Sequence, residues 1–506
     1  MSAVKSLTEL LNQGKFEAPA ISAPNRTDLT YGRLQKLARD TVTRLNELGV
    51  GRQDRVAIVL PNGPEMASAF ITIGCGATTA PLNPDYKANE FEFYLKDLSA
   101  KALVVLEGSD SAAVAVAKKI GVSILELHIP TDAAAGEFEL KGSTSGNTEK
   151  PGLAEPDDIA LILHTSGTTS RPKIVPLSHI NVCASASNIG RSLALNATDK
   201  CLNVMPLFHI HGLIAAVLSS LQAGSSVSCT PGFNALKFFA WLDATNPSWY
   251  TAVPTMHQAI LARGPRNAES IKNAKLRFTR SSSASLPPQV MKSLEEMWDC
   301  PVVEAYGMTE AAHQMAANPL PPAKRMPGSV GIASGPEVAI MSEEGALLNT
   351  GETGEIVIRG DNVTKGYENN PTANAEAYTN GWFRTGDQGN ITDEGYISIT
   401  GRLKEIINRG GEKISPREVD EILMNHPAVE QVVTFAIPHD KLGEEVGAAV
   451  VLRNDQNATE AELRDFAAKS LAAFKVPRKI KMLDEIPKGA TGKLQRIGMA
   501  EKLGMI

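Results

Sequence analysis

The sequence predicts an α/β fold, with a large N-terminal α/β domain that contains parallel sheets and a small β subdomain, and with a C-terminal α+β domain. The first observation is a series of short, β-branched segments separated by stretches long enough for helices, which is typical of buried parallel strands. These segments are RVAIVL, ALVVL, IALIL, WYTAVP, LRFTRS and PVVEAY, starting at residues 55, 102, 159, 249, 276 and 301. The second observation is that several of these segments continue into polar or glycine-rich stretches, at the position where α/β sheets bind ligands. The third observation is the length of 506 residues, well above that of one typical domain.

The pattern changes after about residue 350. GETGEIVIRG, GWFRTGDQGNI and EGYISITGR are closely spaced β segments interrupted by glycines, which predict a small antiparallel subdomain. After Gly401 the sequence becomes a compact α+β stretch of about a hundred residues. We therefore predict one domain over residues 1–401 and a second over residues 402–506.

The composition is ordinary for a globular enzyme. Hydrophobic residues make up 43% and charged residues 21%, and the net charge of −6 gives no reason to expect nucleic acid or an anionic membrane as a partner. No apolar run approaches the ~18 residues of a membrane-spanning helix, so we expect no integral membrane association. The sequence does not identify a protein partner.

The cysteines and the ends of the sequence bear on location. The five cysteines are far apart and odd in number, which argues against a disulfide framework or a CxxC metal site and favours a reducing compartment. The segment MSAVKSLTELLNQGKFE has no continuous apolar stretch, and KLGMI does not match the peroxisomal signal Ser-Lys-Leu. We expect a cytoplasmic protein.

The segment HTSGTTSRPK, residues 164–173, follows the run IALIL and has the composition of an anion-binding loop. It is not a Walker P-loop, because no glycine in the chain opens the pattern GxxxxGK[ST]. Its hydroxyls, the backbone N–H groups around Gly167 and the ammonium of Lys173 are suited to wrap a polyphosphate. The hydroxyls belong to Thr165, Ser166, Thr168 and Thr169. The alternative is a Ser/Thr-rich surface turn.

Four further motifs favour nucleotide chemistry. YGMTEAAH (306–313) places Thr309 and Glu310 at a strand end, where they suit an α-phosphate and Mg²⁺, although a helix N-cap pair looks the same. RTGD (384–387) offers Asp387 for two ribose hydroxyls, or is a plain turn. GRLKEIINRGGEKIS (401–415) is a hinge or a linker. PKGATGKLQR (487–496) places Lys493 in a loop where most lysines only contact solvent.

The order and spacing of these motifs closely resemble those of the adenylate-forming superfamily, which comprises acyl-CoA synthetases, the adenylation domains of peptide synthetases, and luciferases. The resemblance extends from LTYGRL at residue 29 to TGKLQR at residue 491. It implies that ATP, with Mg²⁺, and a small-molecule carboxylate form an acyl-adenylate and pyrophosphate. A thiol, here that of CoA as co-substrate, then displaces AMP. It also implies a mobile C-terminal domain.

The resemblance assigns a role to each motif. The ATP-binding positions are the phosphate loop from Thr165 to Lys173, the turn Ser283, Ala284 and Ser285 beside adenine, and the strand end Glu304, Ala305, Tyr306, Gly307, Met308 and Thr309. The remaining positions are Glu310 for Mg²⁺, Asp387 and Arg402 for ribose, Lys404 for the hinge, Gly410 and Gly411 for the pantetheine tunnel, and Lys493 as the catalytic lysine, which acts with Glu310 and Thr309.

One departure from the family pattern lies in the phosphate loop, which usually reads SGTTGxPKG. Ser170 and Ile174 replace two of its glycines, which predicts a change in loop mobility but an intact site. The assignments make physical sense, because attack of a carboxylate on the α-phosphorus brings two anions together and needs cations where charge accumulates. Lys493 on a mobile domain can supply one for the first step, and rotation about Lys404 then brings in the Gly410–Gly411 loop.

Histidines near the expected acid pocket favour a small diacid, with His313 the more informative, although a single histidine at such a position is more often a structural residue. PLFHIHG supplies His209 and His211, TEAAH supplies His313, and Ser283 is expected nearby. A second carboxylate needs such polar partners, whereas fatty or aryl acids need a long apolar pocket. His209 equally suits a role in ATP geometry. Within the superfamily, HTSGTTSRPK, PLFHIHGL, WYTAVPTMHQ, SSSASL, MTEAAHQMAANPLPP and FKVP resemble the oxalate:CoA ligases of plants and fungi.

The resemblance therefore predicts an oxalate:CoA ligase, and three alternatives stay open at this stage. One is a ligase for another short or aromatic carboxylate, similar to 4-coumarate:CoA ligases. Another is an adenylation enzyme that loads a carrier protein. The third, a non-catalytic nucleotide-binding module, is disfavoured because Glu310, Asp387 and Lys493 are all present.

Overall fold

The structure is a computed structural model that describes residues 3–142, 148–165, 172–487 and 495–506. Seven residues of the predicted site lie outside these ranges, namely Ser166, Gly167, Thr168, Thr169, Ser170 and Arg171 of the phosphate loop, and Lys493.

The described strands account for the apolar segments of the sequence. They are β1 (Pro19–Ser22), β2 (Leu29–Thr30), β3 (Arg55–Val59), β4 (Thr78–Pro81), β5 (Ala102–Leu106), β6 (Ser123–His128), β7 (Glu139–Gly142), β8 (Ile159–Thr165), β9 (Lys173–Ser178), β10 (Lys200–Asn203), β11 (Ser226–Cys229), β12 (Trp249–Ala252), β13 (Phe278–Ser281), β14 (Val302–Met308), β15 (His313–Ala317), β16 (Ile332–Ala333), β17 (Glu337–Met341), β18 (Gly354–Arg359), β19 (Tyr378–Thr379), β20 (Trp382–Ile391), β21 (Ile397–Arg402), β22 (Ile407–Arg409), β23 (Glu412–Ile414), β24 (Val429–His439), β25 (Gly443–Leu452) and β26 (Lys479–Met482).

Helices separate many of these strands. They are α1 (Leu7–Leu10), α2 (Tyr31–Glu47), α3 (Pro64–Gly74), α4 (Ala88–Asp97), α5 (Ala112–Ile120), α6 (His179–Ser192), α7 (Ser219–Gln222), α8 (Phe238–Thr245), α9 (Pro254–Leu261), α10 (Ala268–Asn273), α11 (Pro288–Trp298), α12 (Pro371–Ala377), α13 (Pro416–Met424), α14 (Glu460–Ala468) and α15 (Met499–Lys502), with a π-helical segment over His211–Leu218 and 3₁₀ turns over Gly264–Arg266, Thr309–Ala311 and Leu403–Glu405.

Local sequence explains where the helices begin. Before α6, Ser178 Oγ accepts a hydrogen bond from the backbone N–H of Asn181 at 3.2 Å, and Asn181 Oδ1 accepts one from the N–H of Ser178 at 2.8 Å. This reciprocal cap satisfies two N–H groups that lack partners within the helix. At α13, Ser415 is the cap and Pro416 is the first helical residue, where the missing N–H of proline costs nothing.

A seven-stranded sheet has the order β7-β6-β5-β3-β4-β8-β9. Its central strands are parallel, whereas β7 and β9 pair antiparallel with their neighbours at the two edges. The predicted strands at residues 55, 102 and 159 are β3, β5 and β8 of this sheet. Helices α4 and α5 pack against it through a buried core that includes Phe91, Leu95 and Val116.

A nine-stranded sheet has the order β16-β15-β14-β13-β12-β10-β11-β1-β2. The run from β14 to β1 is parallel, so its strands end at one edge and bring the segments that follow β12, β13 and β14 close together. With its parallel sheets, large N-terminal part and α+β C-terminal part, the structure confirms the predicted fold class.

The chain divides into two compact units. Among the described residues, the first consists of 3–142, 148–165, 173–338 and 358–377, and the second includes 339–357, 378–487 and 495–506. In the second, β20 pairs antiparallel with β19 and β21. A five-stranded sheet in the order β23-β22-β25-β24, with β26 beside β25, forms the core of the C-terminal region. The domain boundary between residues 401 and 402 stays a prediction.

The five cysteines are buried, and none of them is in a disulfide. Across the part of the chain that the structure describes, no helix is long and apolar enough to cross a bilayer. The cytoplasmic location stays a prediction.

Candidate active site

The two ends of the phosphate loop lie next to each other. Strands β8 and β9 pair antiparallel, and their register places Thr165 opposite Lys173. The ammonium of Lys173 lies 4.3 Å from the centre of the Tyr367 ring, in cation–π geometry. The last residue of the predicted phosphate loop therefore packs against Tyr367, which is not among the residues predicted from the sequence.

Glu310, the predicted Mg²⁺ residue, lies in the 3₁₀ turn that follows β14, together with Thr309. It is buried, and the hydroxyl of Tyr367 donates a hydrogen bond to its Oε1 at 2.8 Å. Tyr367 therefore joins the phosphate-loop lysine to the predicted metal carboxylate. Nothing in the segment KGYEN around Tyr367 indicates this role, because the contact spans 57 residues of sequence.

The donor set fits a Mg²⁺ ion that is shared with a nucleotide. Within the described ranges, no group of three or more His, Cys, Asp or Glu side chains is arranged to hold a metal by itself. Mg²⁺ needs no such group, since it usually takes one or two carboxylates together with phosphate oxygens and water. Glu310 is the residue that would hold it here.

The predicted adenine turn and the strand beside it are held together. Ser282 Oγ donates a hydrogen bond to the carbonyl of Ala305 at 2.8 Å, and Glu304 Oε1 accepts one from the N–H of Leu286 at 3.0 Å. These bonds place Ser283, Ala284 and Ser285, which follow β13, beside residues 304–308 of β14. The structure thus brings together two segments that the sequence separately predicts to bind ATP; their role in binding stays a prediction.

The two predicted ribose residues are neighbours within the second unit. Asp387 and Arg402 face each other across β20 and β21, and Arg402 Nε lies 2.8 Å from Asp387 Oδ1. The carboxylate is almost fully buried, with 6% of its side chain exposed, whereas 52% of the arginine side chain is exposed.

The histidines of the predicted acid pocket form a cluster with Ser283. The rings of His211 and His313 stack with centroids 5.0 Å apart, and His211 Nδ1 lies 3.0 Å from Ser283 Oγ. Both histidines are buried. His209 is exposed, and its ring lies 4.6 Å from that of Phe208.

Arg280, which is not among the residues predicted from the sequence, lies at the centre of this cluster. Its side chain is fully buried in β13. Nη1 lies 3.3 Å from His211 Nε2 and 3.4 Å from Thr251 Oγ1, and Nη2 lies 3.2 Å from His313 Nε2 and 3.0 Å from Gln314 Oε1. The sequence signal that points to Arg280 is a charged residue inside the predicted buried strand LRFTRS. An arginine is rarely buried without a partner, so its position there indicates a polar site.

Burial sets the protonation of the cluster. It lowers the pKa of Arg280 to about 9, so the guanidinium keeps its charge at neutral pH. Burial holds the pKa of His211 well below its usual range, and the repulsion that a protonated His313 and the charged Arg280 would exert on a second cation acts in the same direction. Burial and then Arg280 do the same to His313, so both imidazoles are neutral.

Three residues of the cluster region have backbone angles that are unusual for residues with a side chain. Ser283 has φ of 72°, Ala312 of 46° and His313 of 100°. Such conformations cost roughly 1 to 3 kcal/mol each and concentrate at functional sites. They follow the ends of β13 and β14, where the predicted site lies.

The predicted hinge and CoA residues lie in surface turns of the second unit. Lys404 is exposed in the 3₁₀ turn Leu403–Glu405. Gly410 and Gly411 form the turn between β22 and β23, with φ of 62° and 99°. Gly411 donates its N–H to Asn408 Oδ1 at 3.2 Å.

Comparison with known families decides the class of enzyme. The model of the AMP-binding enzymes matches residues 9–368, and that of the C-terminal domain of these enzymes matches residues 418–493. The chain belongs to the AMP-binding enzyme family. With its CoA ligase relatives, this establishes an AMP-forming acid–thiol ligase, in agreement with the sequence analysis.

Three curated relatives are CoA ligases by name. A probable CoA ligase, CCL9, of Humulus lupulus is 46% identical over 98% of this chain and 96% of its own. An oxalate–CoA ligase of Arabidopsis thaliana is 45% identical over 94% of each chain. An oxalate–CoA ligase of Saccharomyces cerevisiae is 43% identical over 89% of this chain and 87% of its own.

Two solved structures share the fold. ATP-bound MatB from Rhodopseudomonas palustris is 27% identical with a TM-score of 0.87, covering 99% of each chain. O-succinylbenzoate coenzyme A synthetase from Bacillus subtilis, with ATP and a magnesium ion, is 27% identical with a TM-score of 0.81, covering 98% of this chain and 99% of its own. Members of the family therefore bind ATP and Mg²⁺.

Proposed function

We propose that this protein is an ATP-dependent oxalate:CoA ligase, which forms oxalyl-CoA, AMP and pyrophosphate through an acyl-adenylate. The observation that carries the proposal is the cluster of His211, His313 and Ser283 around the buried charge of Arg280. Hydrogen-bonding groups and a buried positive charge lie among the residues predicted to bind the acid.

The second carboxylate of a diacid needs partners in the acid pocket. Moving a carboxylate from water into a dry pocket costs several kcal/mol unless a cation and hydrogen bonds compensate. The cluster supplies both, whereas an alkyl or aryl tail placed there would leave polar groups without partners. Polar groups left without partners lower kcat/KM for the wrong acid by large factors. The names of the Arabidopsis and yeast relatives support oxalate as the acid.

In this proposal, the remaining site residues serve ATP. The phosphate loop, Lys173 included, holds the phosphates, the turn from Ser283 and the end of β14 line the adenine, and Asp387 with Arg402 orients the ribose. Glu310 would hold a Mg²⁺ ion, which when bound would supply positive charge to the phosphate oxygens. Thr309 donates its hydroxyl to the α-phosphate, and Lys493 neutralises the charge that develops there.

The second half-reaction uses the C-terminal domain, which we place at residues 402–506. Rotation about Lys404 moves Lys493 away after the first half-reaction and brings in the Gly410–Gly411 turn. This turn then shapes the channel for the pantetheine of CoA. Glycine suits this turn, because both residues have positive φ and an added side chain at Gly410 would approach Leu442 to 3.1 Å.

A carboxylate panel tests the proposed function. Oxalate, malonate, acetate, hexanoate and 4-coumarate are each supplied with ATP, Mg²⁺ and CoA, and AMP formation is measured with and without CoA. We expect the highest kcat/KM for oxalate and dependence of the product on free CoA. A preference for hexanoate or 4-coumarate would refute oxalate as the substrate. Activity only with a carrier-protein thiol would refute the CoA ligase.

A further inference from the structure

Arg280 carries a buried charge that no anion of the described chain balances. Within the described ranges, its guanidinium contacts His211, Thr251, His313 and Gln314, and none of these carries a negative charge. Its Nε atom has no hydrogen-bond partner among the described residues. An arginine in a dry interior is normally paired with a carboxylate, since the charge is otherwise costly. The arrangement is electrically incomplete without an anionic ligand.

The guanidinium also fixes the protons on both imidazoles. Arginine can only donate hydrogen bonds, so the Nε2 atoms that face it must be acceptors. Each histidine is therefore the tautomer that carries its proton on Nδ1. Thr251 reinforces this on His211, because its hydroxyl lies 2.6 Å from Nε2 and accepts from Arg280 Nη1 in turn.

The orientation of Gln314 is fixed by its other contact. Its Nε2 donates to Ser192 Oγ at 2.9 Å, so its Oε1 is the atom that faces Arg280. The β-sheet register supports the same arrangement, since Arg280 lies opposite Thr251 on the neighbouring strand β12. Arg280 is thus held from three sides in one position.

The N–H groups that result are aimed at the ends of β13 and β14. His211 Nδ1–H donates to Ser283 Oγ, which leaves the proton of Ser283 for another acceptor. His313 Nδ1 faces Gly307, where an added Cβ would lie 3.2 Å from it. Ser283 and Gly307 are both among the residues predicted to surround the acyl-adenylate.

We propose that Arg280 is the positioning residue that selects a dianionic acid, by fixing the donors of His211 and His313 and by supplying the buried charge that the second carboxylate balances. The inference rests on the proposed function and deepens it, because it assigns the choice of acid to a residue that does not touch the substrate. Arg280 has no exposed surface, so its effect reaches the acid through the histidines and Ser283.

Oxalate and oxamate provide the test, because oxamate has the same shape but an uncharged amide in place of one carboxylate. The experiment measures kcat and KM for oxalate, and the inhibition constant of oxamate against it, in the native full-length enzyme, R280Q, R280K and the control R277M. We expect R280Q to lower the selectivity for oxalate over oxamate by about 100-fold, mainly through KM. R280K keeps the charge and restores about tenfold of that loss.

Arg277 is a matched control, because it precedes the same strand but pairs with a carboxylate, with Nε 2.8 Å from Asp199 Oδ1. R277M is expected to lose stability without changing the selectivity. The inference would be overturned if the selectivity for oxalate over oxamate were the same in R280Q as in the native enzyme, or the same in R280K as in R280Q. If R280Q does not fold, R280K tests the inference by itself. A lysine cannot donate hydrogen bonds to both histidines, so we expect the KM of R280K for oxalate to rise about tenfold and its affinity for ATP to be unchanged.

The two proposals fail in different ways. If the native enzyme prefers hexanoate or 4-coumarate in AMP formation, the proposed function fails whatever the variants do. If the native enzyme prefers oxalate but the selectivity over oxamate does not change when the charge at residue 280 is removed, the proposed function stands and the inference about Arg280 fails.

Discussion

The hydroxyl of Tyr367 donates a hydrogen bond to Glu310 Oε1 at 2.8 Å. Because the ring of the same tyrosine lies 4.3 Å from the ammonium of Lys173, one side chain orients both the predicted metal carboxylate and the last residue of the phosphate loop. Two groups that must act on the same triphosphate are therefore positioned by a single aromatic residue.

Replacing Tyr367 separates its two contacts. Y367F keeps the ring but leaves Glu310 without this donor, so we expect the Mg²⁺ concentration for half-maximal activity to rise by about tenfold, as befits one hydrogen bond to a charged group. Y367L also removes the cation–π contact, worth roughly 0.5 to 2 kcal/mol, and should weaken ATP binding further. Mg²⁺ titrations of pyrophosphate release measure both effects.

Tyr31 supplies the control for this prediction. Its buried hydroxyl donates to the carbonyl of Ser225 at 2.6 Å, away from the predicted site. Y31F should lower the melting temperature and leave the Mg²⁺ dependence as it is. Identical Mg²⁺ titrations for native enzyme and Y367F would contradict the role given to Tyr367.

The sequence was sufficient for those parts of the site that depend on strand order. Parallel strands end at one edge of a sheet, so the positions of LRFTRS and PVVEAY predict that the segments after them lie where ligands bind, whereas the roles of Ser283 and Gly307 beside adenine come from the resemblance to the adenylate-forming superfamily. The grouping of His211 with His313 came from the resemblance to oxalate:CoA ligases and from the polarity that a diacid requires.

The contacts of Arg280 and Tyr367 could not be predicted in the same way. Each depends on which atoms face it after folding: Arg280 meets His313 across 33 residues, and Tyr367 meets Glu310 across 57. A pattern of apolar positions shows that Arg280 lies in a strand, but not that its neighbours are neutral acceptors instead of a carboxylate. That distinction decides whether the charge of Arg280 is balanced by a carboxylate of the protein or by a bound ligand.

Lys493→Ala should impair adenylation far more than thioester formation. The proposed charge of Lys493 is needed only while pyrophosphate departs, and the loss of one such contact commonly costs ~10² to 10³ in rate. Pyrophosphate release measures the first half-reaction, and pre-formed acyl-adenylate with CoA measures the second. Lys479→Ala, at an exposed position of β26, is the control and should change neither. Equal losses in both half-reactions would refute the division of labour.

The cysteines should resist alkylation in the folded protein. Burial raises the pKa of Cys75 to about 12 and that of Cys300 to about 12, and it also raises the pKa values of Cys183, Cys201 and Cys229. The reactive thiolate is therefore scarce at pH 8, and the reagent has little access. Mass spectrometry after iodoacetamide should show almost no label on native protein and five labels in denaturant without reductant. Fewer than five would reveal a disulfide.

Gly307→Ala should disrupt the histidine cluster. A Cβ at this position would lie 1.8 Å from the carbonyl oxygen of His313, and backbone there cannot give way cheaply. We expect kcat/KM for oxalate to fall by more than about 100-fold and the melting temperature to drop. Gly190→Ala is the control, because the nearest atom is 3.8 Å from its added Cβ and alanine favours helix α6. Equal melting temperatures for both variants would contradict this prediction.

Arg496 should anchor the chain directly after the segment that carries Lys493. Its Nη2 lies 2.7 Å from Asp420 Oδ2, its Nε lies 3.2 Å from Glu405 Oε2, and its Nη1 donates to the carbonyl of Thr434 at 2.9 Å. Only 13% of the Asp420 side chain is exposed. Removing the arginine leaves a largely buried carboxylate without its cation, which typically costs ~3 to 5 kcal/mol at a fully buried pair and less here.

R496M should therefore speed amide hydrogen exchange across β24, where Thr434 donates its N–H to Asp420 Oδ1 at 2.7 Å. The double variant D420N/R496M should exchange more slowly than R496M, because removing both charges relieves the unpaired carboxylate. Arg417→Met is the control, since Arg417 pairs with the half-exposed Glu421 one helical turn away and such pairs contribute only about 0.5 kcal/mol. Exchange in R496M as slow as in R417M would show that Arg496 does not hold this part of the C-terminal region together.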